Sequence, residues 1–449
     1  MTKTALILAG HGSHISAETA GVIWRAVDAI RVRGAADEVT AAFWKESPSF
    51  HAVFASLTAT DITVIPLFTA RGYFTKTVIP AEMGLHGALT KRDGRLIRYA
   101  KPLSAHPTLG TIVRERALSG IRRANVPPDQ IAIAVIGHST RRDPASRRAT
   151  EDQAAALRAL SIAAEVVAVF LDDAPSIPDV YTLTASPTLI AVPFFLAEGS
   201  HAALDVPARL GLERGQREGL INGRRLIYTD PVGTGESLVE IILDLAVAGG
   251  AALKTPSSAG FWCGFPQAGG NALIKAVEAA GVLPLGDLIL SSTEGVFAKD
   301  GQNNALAEII TTPDALRTRL RQPQSRFRPL PTAADLPRGW HVPLSSLADL
   351  PAVVETIYPG VVADWAAGRD GTFRAGSFGA AIARQTGMFR GLAEMSHARQ
   401  GEIVASVCGR CVRRPTWFNG ELGAIPCAEP CNVWLSEANA VLSTTQEAL

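Results

Sequence analysis

Leu6-Ile7-Leu8-Ala9-Gly10-His11-Gly12-Ser13 is an apolar run that stops at a Gly-His pair, and it returns as Ala134-Val135-Ile136-Gly137-His138-Ser139-Thr140. His138 follows His11 by 127 positions (138 minus 11). The offset holds without a gap for roughly seventy-five residues, as an internal duplication requires. Glu38 matches Glu165, Phe43 matches Phe170, Pro48-Ser49 matches Pro175-Ser176, Phe68 matches Phe195, Gly72 matches Gly199 and Pro80 matches Pro207. Working outward from the pair, runs rich in Val, Ile and Leu alternate with helix-period stretches as far as residue 248. Strands are expected near 4–9, 38–44, 62–67 and 96–100, with helices near 17–32, 50–59, 79–91 and 108–124. In the second copy the strands fall near 131–136, 165–171, 188–193 and 225–229, and the helices near 149–161, 176–184, 202–212 and 235–247. Strands apolar on both faces need helices on both sides, so the alternation predicts an α/β fold of two tandem doubly wound parallel-sheet domains, 1–127 and 128–250. Ligands of such sheets bind beyond the carboxyl ends of the strands, where His11, His138 and the loops after Phe68 and Phe195 lie.

Beyond residue 250 the pattern changes and the repeat does not continue. A Gly-rich stretch at 260–270 precedes a helix near 271–280, strands near 287–290 and an acidic-amide loop at 300–304. The Pro-rich segment 323–343 has little periodicity and reads as a linker or wrapping segment. Helical patterns follow near 346–357, 360–367 and 376–395. The expected division is an additional α/β domain over 251–335 and a mainly helical domain with a four-cysteine site over 336–449.

With 47% hydrophobic and 19% charged residues the chain reads as globular protein. Its 43 basic against 42 acidic residues leave a net charge of +1, which gives no long-range field for nucleic acid or an anionic membrane. The opening apolar run is too short for a signal peptide, and no stretch approaches the roughly twenty apolar residues that span a bilayer. A cytoplasmic protein without membrane or nucleic-acid partners is expected. Nothing in the sequence fixes its oligomeric state.

The second copy continues after its third strand as Pro193-Phe194-Phe195-Leu196-Ala197-Glu198-Gly199-Ser200-His201-Ala202-Ala203-Leu204-Asp205-Val206-Pro207. A Gly-His loop after strand one, paired with this segment after strand three, resembles the class II tetrapyrrole chelatases, and among them the sirohydrochlorin cobaltochelatases of the CbiX kind. The resemblance covers residues 4 to 248. It implies a tetrapyrrole substrate and two histidines that bind the incoming metal and take up pyrrole protons, at the positions of His138 and His201. Imidazole suits Co²⁺, Fe²⁺ and Ni²⁺ alike, and a base with an ordinary pKa near 6.5 suits proton uptake. Glu198 is the candidate acid relaying protons, and Asp172 a candidate further metal ligand, since the family often carries a carboxylate after Phe-Leu. His11 is a weaker metal candidate. Its copy has Phe74 where the second has His201, Lys45 for Asp172 and Arg71 for Glu198. A lone Gly-His at a strand end is commonly a turn; the duplicated frame and the long loop match are what make this one a site.

Four of the five cysteines stand as Cys408-Gly-Arg-Cys411 and Cys427-Ala-Glu-Pro-Cys431. Four thiolates so spaced hold either one tetrahedral Zn²⁺ or a [4Fe–4S] cluster. Spacing does not decide between them; Trp417, Phe418 and Trp434 as an apolar shell and Arg410, Arg413 and Arg414 as counter-charges favour the cluster. The tail, Trp417-Phe418-Asn419-Gly420 included, also resembles the C-terminal iron–sulfur domain of a bacterial subgroup of two-copy chelatase-like proteins. Cys263 is expected to be a buried small residue.

The expected function is therefore insertion of a divalent metal, Co²⁺ by resemblance, into sirohydrochlorin or a relative, in cobalamin or sirohaem biosynthesis. Two alternatives stand beside it: a tetrapyrrole or metal carrier without turnover, and an iron–sulfur redox protein, with a redox partner, that uses the chelatase-like domains for binding.

Overall fold

A computed structural model describes residues 2–13, 16–139, 143–199, 201–235, 237–255, 257, 259–299, 307–320, 336–384, 389–409, 411–417 and 425–446. The acidic-amide loop 300–304, the Pro-rich segment up to 335, Arg410 and Phe418 lie outside the described residues.

The first half runs β1 (Thr4–Gly10), α1 (Glu18–Val32), β2 (Glu38–Phe43), β3 (Asp61–Pro66), α2 (Ile79–Met83), β4 (Leu89–Arg92), β5 (Arg95–Tyr99) and α3 (Thr108–Ala124). The second runs β6 (Ile131–Gly137), α4 (Ala145–Ala159), β7 (Glu165–Phe170), α5 (Val180–Leu183), β8 (Thr188–Pro193), α6 (Val206–Arg209), β9 (Glu218–Ile221), β10 (Arg224–Tyr228) and α7 (Ser237–Ala248). Strand orders are β2-β1-β3-β5-β4 and β7-β6-β8-β10-β9. Register repeats with the sequence: Ala5 pairs with Glu38 as Ala132 pairs with Glu165, and Gly10 with Phe43 as Gly137 with Phe170. The central strands are buried along nearly their whole length, as parallel strands covered on both faces must be.

Each sheet ends in an antiparallel hairpin that the helical reading of 79–91 and 202–212 obscured. Helix α2 stops at Gly84, whose φ of 61° is left-handed, and the chain returns through Asp93-Gly94, both at positive φ. Asn222-Gly223 turns the second hairpin in the same way, the geometry that two-residue hairpins favour. The turn preceding α2, Phe74–Val78, and its counterpart His201–Asp205 are both π-helical, 127 positions apart. Glu38 and Glu165 act as matched clasps. Glu38 accepts from Thr58 N and Ala59 N at 3.0 and 2.7 Å, Glu165 from Ala185 N and Ser186 N at 3.0 and 2.8 Å.

The halves share one core. Helix α3 of the first half packs on β8 and β10 of the second, and α7 of the second packs on β3 of the first. Leu6, Leu8 and Ile65 thus meet Ile241, Ile242, Ile133, Ile190 and Val192 in a single buried cluster.

The third layer comprises α8 (Gly270–Ala280), β11 (Val282–Leu285), β12 (Leu288–Ser291), β13 (Gly295–Ala298), β14 (Glu308–Ile309), α9 (Pro313–Leu320), β15 (Trp340–Val342), α10 (Leu350–Ile357) and α11 (Val361–Arg369). Its sheet order is β11-β12-β13-β15-β14. The boundary expected at 335/336 therefore cuts through a sheet: β15 is hydrogen-bonded between β13 and β14, and Val353, Ile357 and Trp365 share a core with Leu273, Leu290 and Val296. Cys263 is a second correction. It is exposed in its turn, and Phe265 is what that loop buries, its ring 3.4 Å from Arg31 Cζ.

The last region, α12 (Phe378–Arg384), α13 (His397–Cys408), β16 (Arg414–Pro415), β17 (Pro426–Cys427) and α14 (Asn432–Gln446), docks on the outer face of the first sheet. Ile7, Trp44, Phe50, Ile62 and Val64 form one core with Phe389, Leu392, Met395, Trp434 and Leu435. Among the described residues no helix is long and apolar enough to cross a membrane.

The clasps predict unequal effects on stability. Glu38 is fully buried and also accepts from Gln267 N at 2.7 Å, so Glu38→Ala strands three backbone N–H groups and is expected to cost about 3–5 kcal/mol. Glu165→Ala, which removes a more exposed clasp, is expected to cost about 1–2 kcal/mol. Chemical denaturation of both variants measures the difference.

Candidate functional site

At the carboxyl end of β6, His138 points its Nδ1 at Asp172 Oδ2 at 3.2 Å, from the loop after β7. His201 opens the π-turn, and its Nδ1 meets Asp205 Oδ2, four residues on, at 2.7 Å. The two imidazole centroids lie 5.3 Å apart with planes at 82°, and the Phe195 ring stands edge-on to His138 at 4.8 Å. The hydrogen bond from His138 holds the Asp172 carboxyl below its ordinary range, so it is an ionised acceptor at neutral pH. An acceptor on Nδ1 puts the ring hydrogen there and leaves the Nε2 lone pair for a metal. Both imidazoles are thus set in the same tautomer by a carboxylate behind them.

The loop carrying Asp172 is pinned on both sides. Arg209 donates to Leu171 O. Arg147 donates to Asp173 at 3.0 Å and to Ala174 O at 2.8 Å, with its guanidinium over Phe170. Ser139 also donates to Asp173, at 2.8 Å. Two contacts join the halves beside the site: Lys76 of the first pairs with Asp143 of the second at 2.9 Å, and a Cβ on Gly199 would run into Thr19.

The structure brings His138, His201 and Asp172 together, with Asp172 behind an imidazole as its orienting acceptor. Glu198 turns away to Arg217, which lies over the Tyr228 ring. His11 has its Nδ1 2.9 Å from Gly12 O and its ring edge on Phe74 at 4.9 Å, so its surroundings are aromatic. Among the described residues no three His, Cys, Asp or Glu side chains are grouped so as to hold one metal ion. Sequence reasoning missed Asp205, although its spacing of four from His201 was the available signal, and it missed Arg209 and Arg147.

The four cysteines border a second cavity. Cys408 ends α13, Cys411 follows in a turn, Cys427 lies on β17 and Cys431 precedes α14. The opposite wall is the loop after β2 of the first half, including Trp44, Lys45, Glu46 and Pro48. Ser49 donates to Glu429 at 3.1 Å and Arg384 pairs with the same carboxylate, which ties the two walls together. Burial raises all four thiols, Cys408 to about 12 and Cys427 to about 11; repulsion from neighbouring cysteines adds to the rise at Cys408, Cys427 and Cys431, while Arg413 and Arg414 oppose it at Cys411. Arg413, largely buried, lies beside Cys411 and Cys427 and pairs with Asp364 at 3.4 Å. Among the described residues, Trp44 Nε1 and Trp434 Nε1 on the cavity wall are buried without a hydrogen-bond partner, and Arg384 Nε lies 3.7 Å from Glu82 Oε2. Each such donor costs about 1–3 kcal/mol if left so. Four thiols, a buried cation and unpaired N–H donors are a set suited to an anionic iron–sulfur cluster.

Residues 5–119 and 132–247 both match the CbiX family. These stretches make up more than half of the chain, and the chain belongs to the CbiX family. Residues 295–369 match the DR2241 stabilising domain, and 370–440 the 4Fe-4S iron-sulfur cluster binding domain. Among individual relatives, a protein of Halobacterium salinarum named a probable sirohydrochlorin cobaltochelatase is 33% identical over 269 residues, 55% of this chain and 92% of its own length. The sirohydrochlorin cobaltochelatase of Methanococcus maripaludis is 26% identical over 140 residues, 26% of this chain and 96% of its own. The crystal structure of DR2241 from Deinococcus radiodurans matches 99% of this chain and 100% of its own, with a TM-score of 0.79 and 26% identity. It is described as a multi-domain protein similar to chelatases with two additional novel domains.

The carboxylate behind each imidazole makes a quantitative prediction. Asp205→Asn and Asp172→Asn are each expected to weaken Co²⁺ binding about 10- to 100-fold, and Glu198→Gln to leave it unchanged within about 2-fold. Competition titration with a chromophoric chelator reads all three.

Proposed function

We propose that the chain inserts a divalent first-row metal, with Co²⁺ the foremost candidate, into sirohydrochlorin or a closely related tetrapyrrole, and that the second half does the work. The observation that carries this reading is the His138–His201 pair, its centroids 5.3 Å apart and each imidazole held at Nδ1 by its own carboxylate. The names of the Halobacterium and Methanococcus relatives support the substrate and the metal.

Two neutral imidazoles hold a cation loosely enough to surrender it to four pyrrole nitrogens. Insertion takes one divalent cation and the macrocycle with two pyrrole N–H groups, and gives the metallated macrocycle and two protons. As the metal leaves, each Nε2 regains a lone pair next to a departing proton and accepts it. Asp172 and Asp205 then stabilise the imidazolium that forms. Because Arg217 occupies Glu198, proton uptake falls to the imidazoles. His11, with Phe74 where a second imidazole would be, is assigned no metal.

For Cys408, Cys411, Cys427 and Cys431 we propose a [4Fe–4S] cluster, which supplies one-electron chemistry when bound. The match of 370–440 to a cluster-binding domain and the unpaired donors around the cavity support it over structural zinc.

Anaerobic spectral assays with Co²⁺, Ni²⁺ and Fe²⁺ test the reaction. Wild type is expected to metallate sirohydrochlorin faster than buffer, and His138→Ala or His201→Ala to lose about 10²–10⁴ of that rate. Stoichiometric binding of macrocycle and metal without acceleration would replace the enzyme by a carrier. Iron analysis tests the cluster: four irons per chain with broad absorption near 400 nm is expected, roughly as thiolate-ligated clusters show, and zinc without iron overturns it.

A further inference from the structure

The two copies allow each first-half residue to be compared with its counterpart. At position 171 the second copy has Leu171, buried in that half's own core; at the matching position 44 the first copy has Trp44, on the cavity wall. Trp44 is 4% exposed, its peptide N–H bonds Gly10 O at 3.2 Å, and its ring lies between Phe389, stacked at 6.2 Å, and Phe74, edge-on at 6.0 Å. The ring is thus fixed from both the first half and the cysteine region. Its Nε1 nevertheless has no hydrogen-bond partner among the described residues. Trp434, fully buried on the cysteine side, is in the same condition, while its peptide N–H already donates to Cys431 Sγ at 3.4 Å. A buried indole N–H is a donor only, and the cavity it borders holds the four cysteine sulfurs and one further acceptor without a donor among the described residues, Asn432 Oδ1.

We propose that the eroded first copy is part of the cluster site: the Trp44 indole N–H donates to a sulfur of the cluster held by the four cysteines, as the Trp434 indole does from the opposite wall. The inference rests on the cluster assignment made above. It gives the loss of the first copy's metal-site residues a positive counterpart, since the loop that aligns with the Asp172 loop now contributes a donor to another cofactor. A donor to cluster sulfur stabilises the more negative, reduced state, so each indole raises the reduction potential.

The test is redox titration of the full-length chain, followed by electron paramagnetic resonance of the reduced cluster. Trp44→Phe and Trp434→Phe are each expected to move the midpoint to more negative potential at unchanged iron content, and Trp262→Phe, away from the cavity, not to move it. A variant-free measurement stands beside this one. With tryptophan labelled by ¹⁵N at the indole nitrogen, pulsed resonance of the reduced wild type is expected to show hyperfine coupling from two such nitrogens. A loaded cluster with no indole coupling, or with the wild-type midpoint in Trp44→Phe, overturns the inference and leaves the cluster assignment standing. A wild type that takes up no iron overturns both.

Discussion

Everything in the first 250 residues depends on the exchange of α3 and α7. A parallel sheet must be covered on both faces, because its strands have no polar side to turn to water. Here the cover is shared: α1 and α4 pack on their own sheets, while α3 also packs on the second sheet and α7 on the first. Burying Ile190 and Val192 under the first half's helix, and Ile65 and Leu67 under the second's, is worth about 1.5–3 kcal/mol for each side chain. The arrangement commits the halves to one relative position, and the strand ends that carry His11 and His138 are held beside each other as a consequence.

The opposite faces of the two sheets then take different courses. On the second, α5 and α6 close a compact core around Ile136, Val169 and Phe195. On the first, the cysteine region spreads over Trp44, Phe50 and Ile62 and merges into the sheet's own core. Phe74 is the side chain at which these demands meet. It touches His11, Phe68 and Trp44, so an imidazole there would have to be solvated inside an aromatic cluster. The π-turn that presents His201 has its counterpart around Phe74, so the two halves share this backbone although the side chain differs.

Much of this was legible in the residues. Unbroken apolar runs ending at Gly-His gave the strands, and the duplicated frame singled out His138, His201 and Asp172. The edge hairpins were not seen because β4 and β9 are short and half-exposed, so apolar periodicity is weak there. The Asp93-Gly94 and Asn222-Gly223 turns were the better signal. The partner that takes Glu198 out of play is Arg217, nineteen positions along, and a salt bridge leaves no trace in local pattern. The 335/336 boundary failed for a related reason: β15 is three residues long and is a strand only because β13 and β14 flank it. The wall of the cysteine cavity comes from residues near 44, and no sequence spacing could have placed it there.

In a symmetric dimer of single-domain chains, every substitution appears in both sites, so a residue that helps one must be tolerated in the other. Joining the halves through the short segment between α3 and β6 removes that constraint. Leu171 and Trp44, or His201 and Phe74, became separate heritable choices once they lay on one chain. The exchanged helices preserve the geometry of a dimer, and the covalent link allows its two members to hold different occupations.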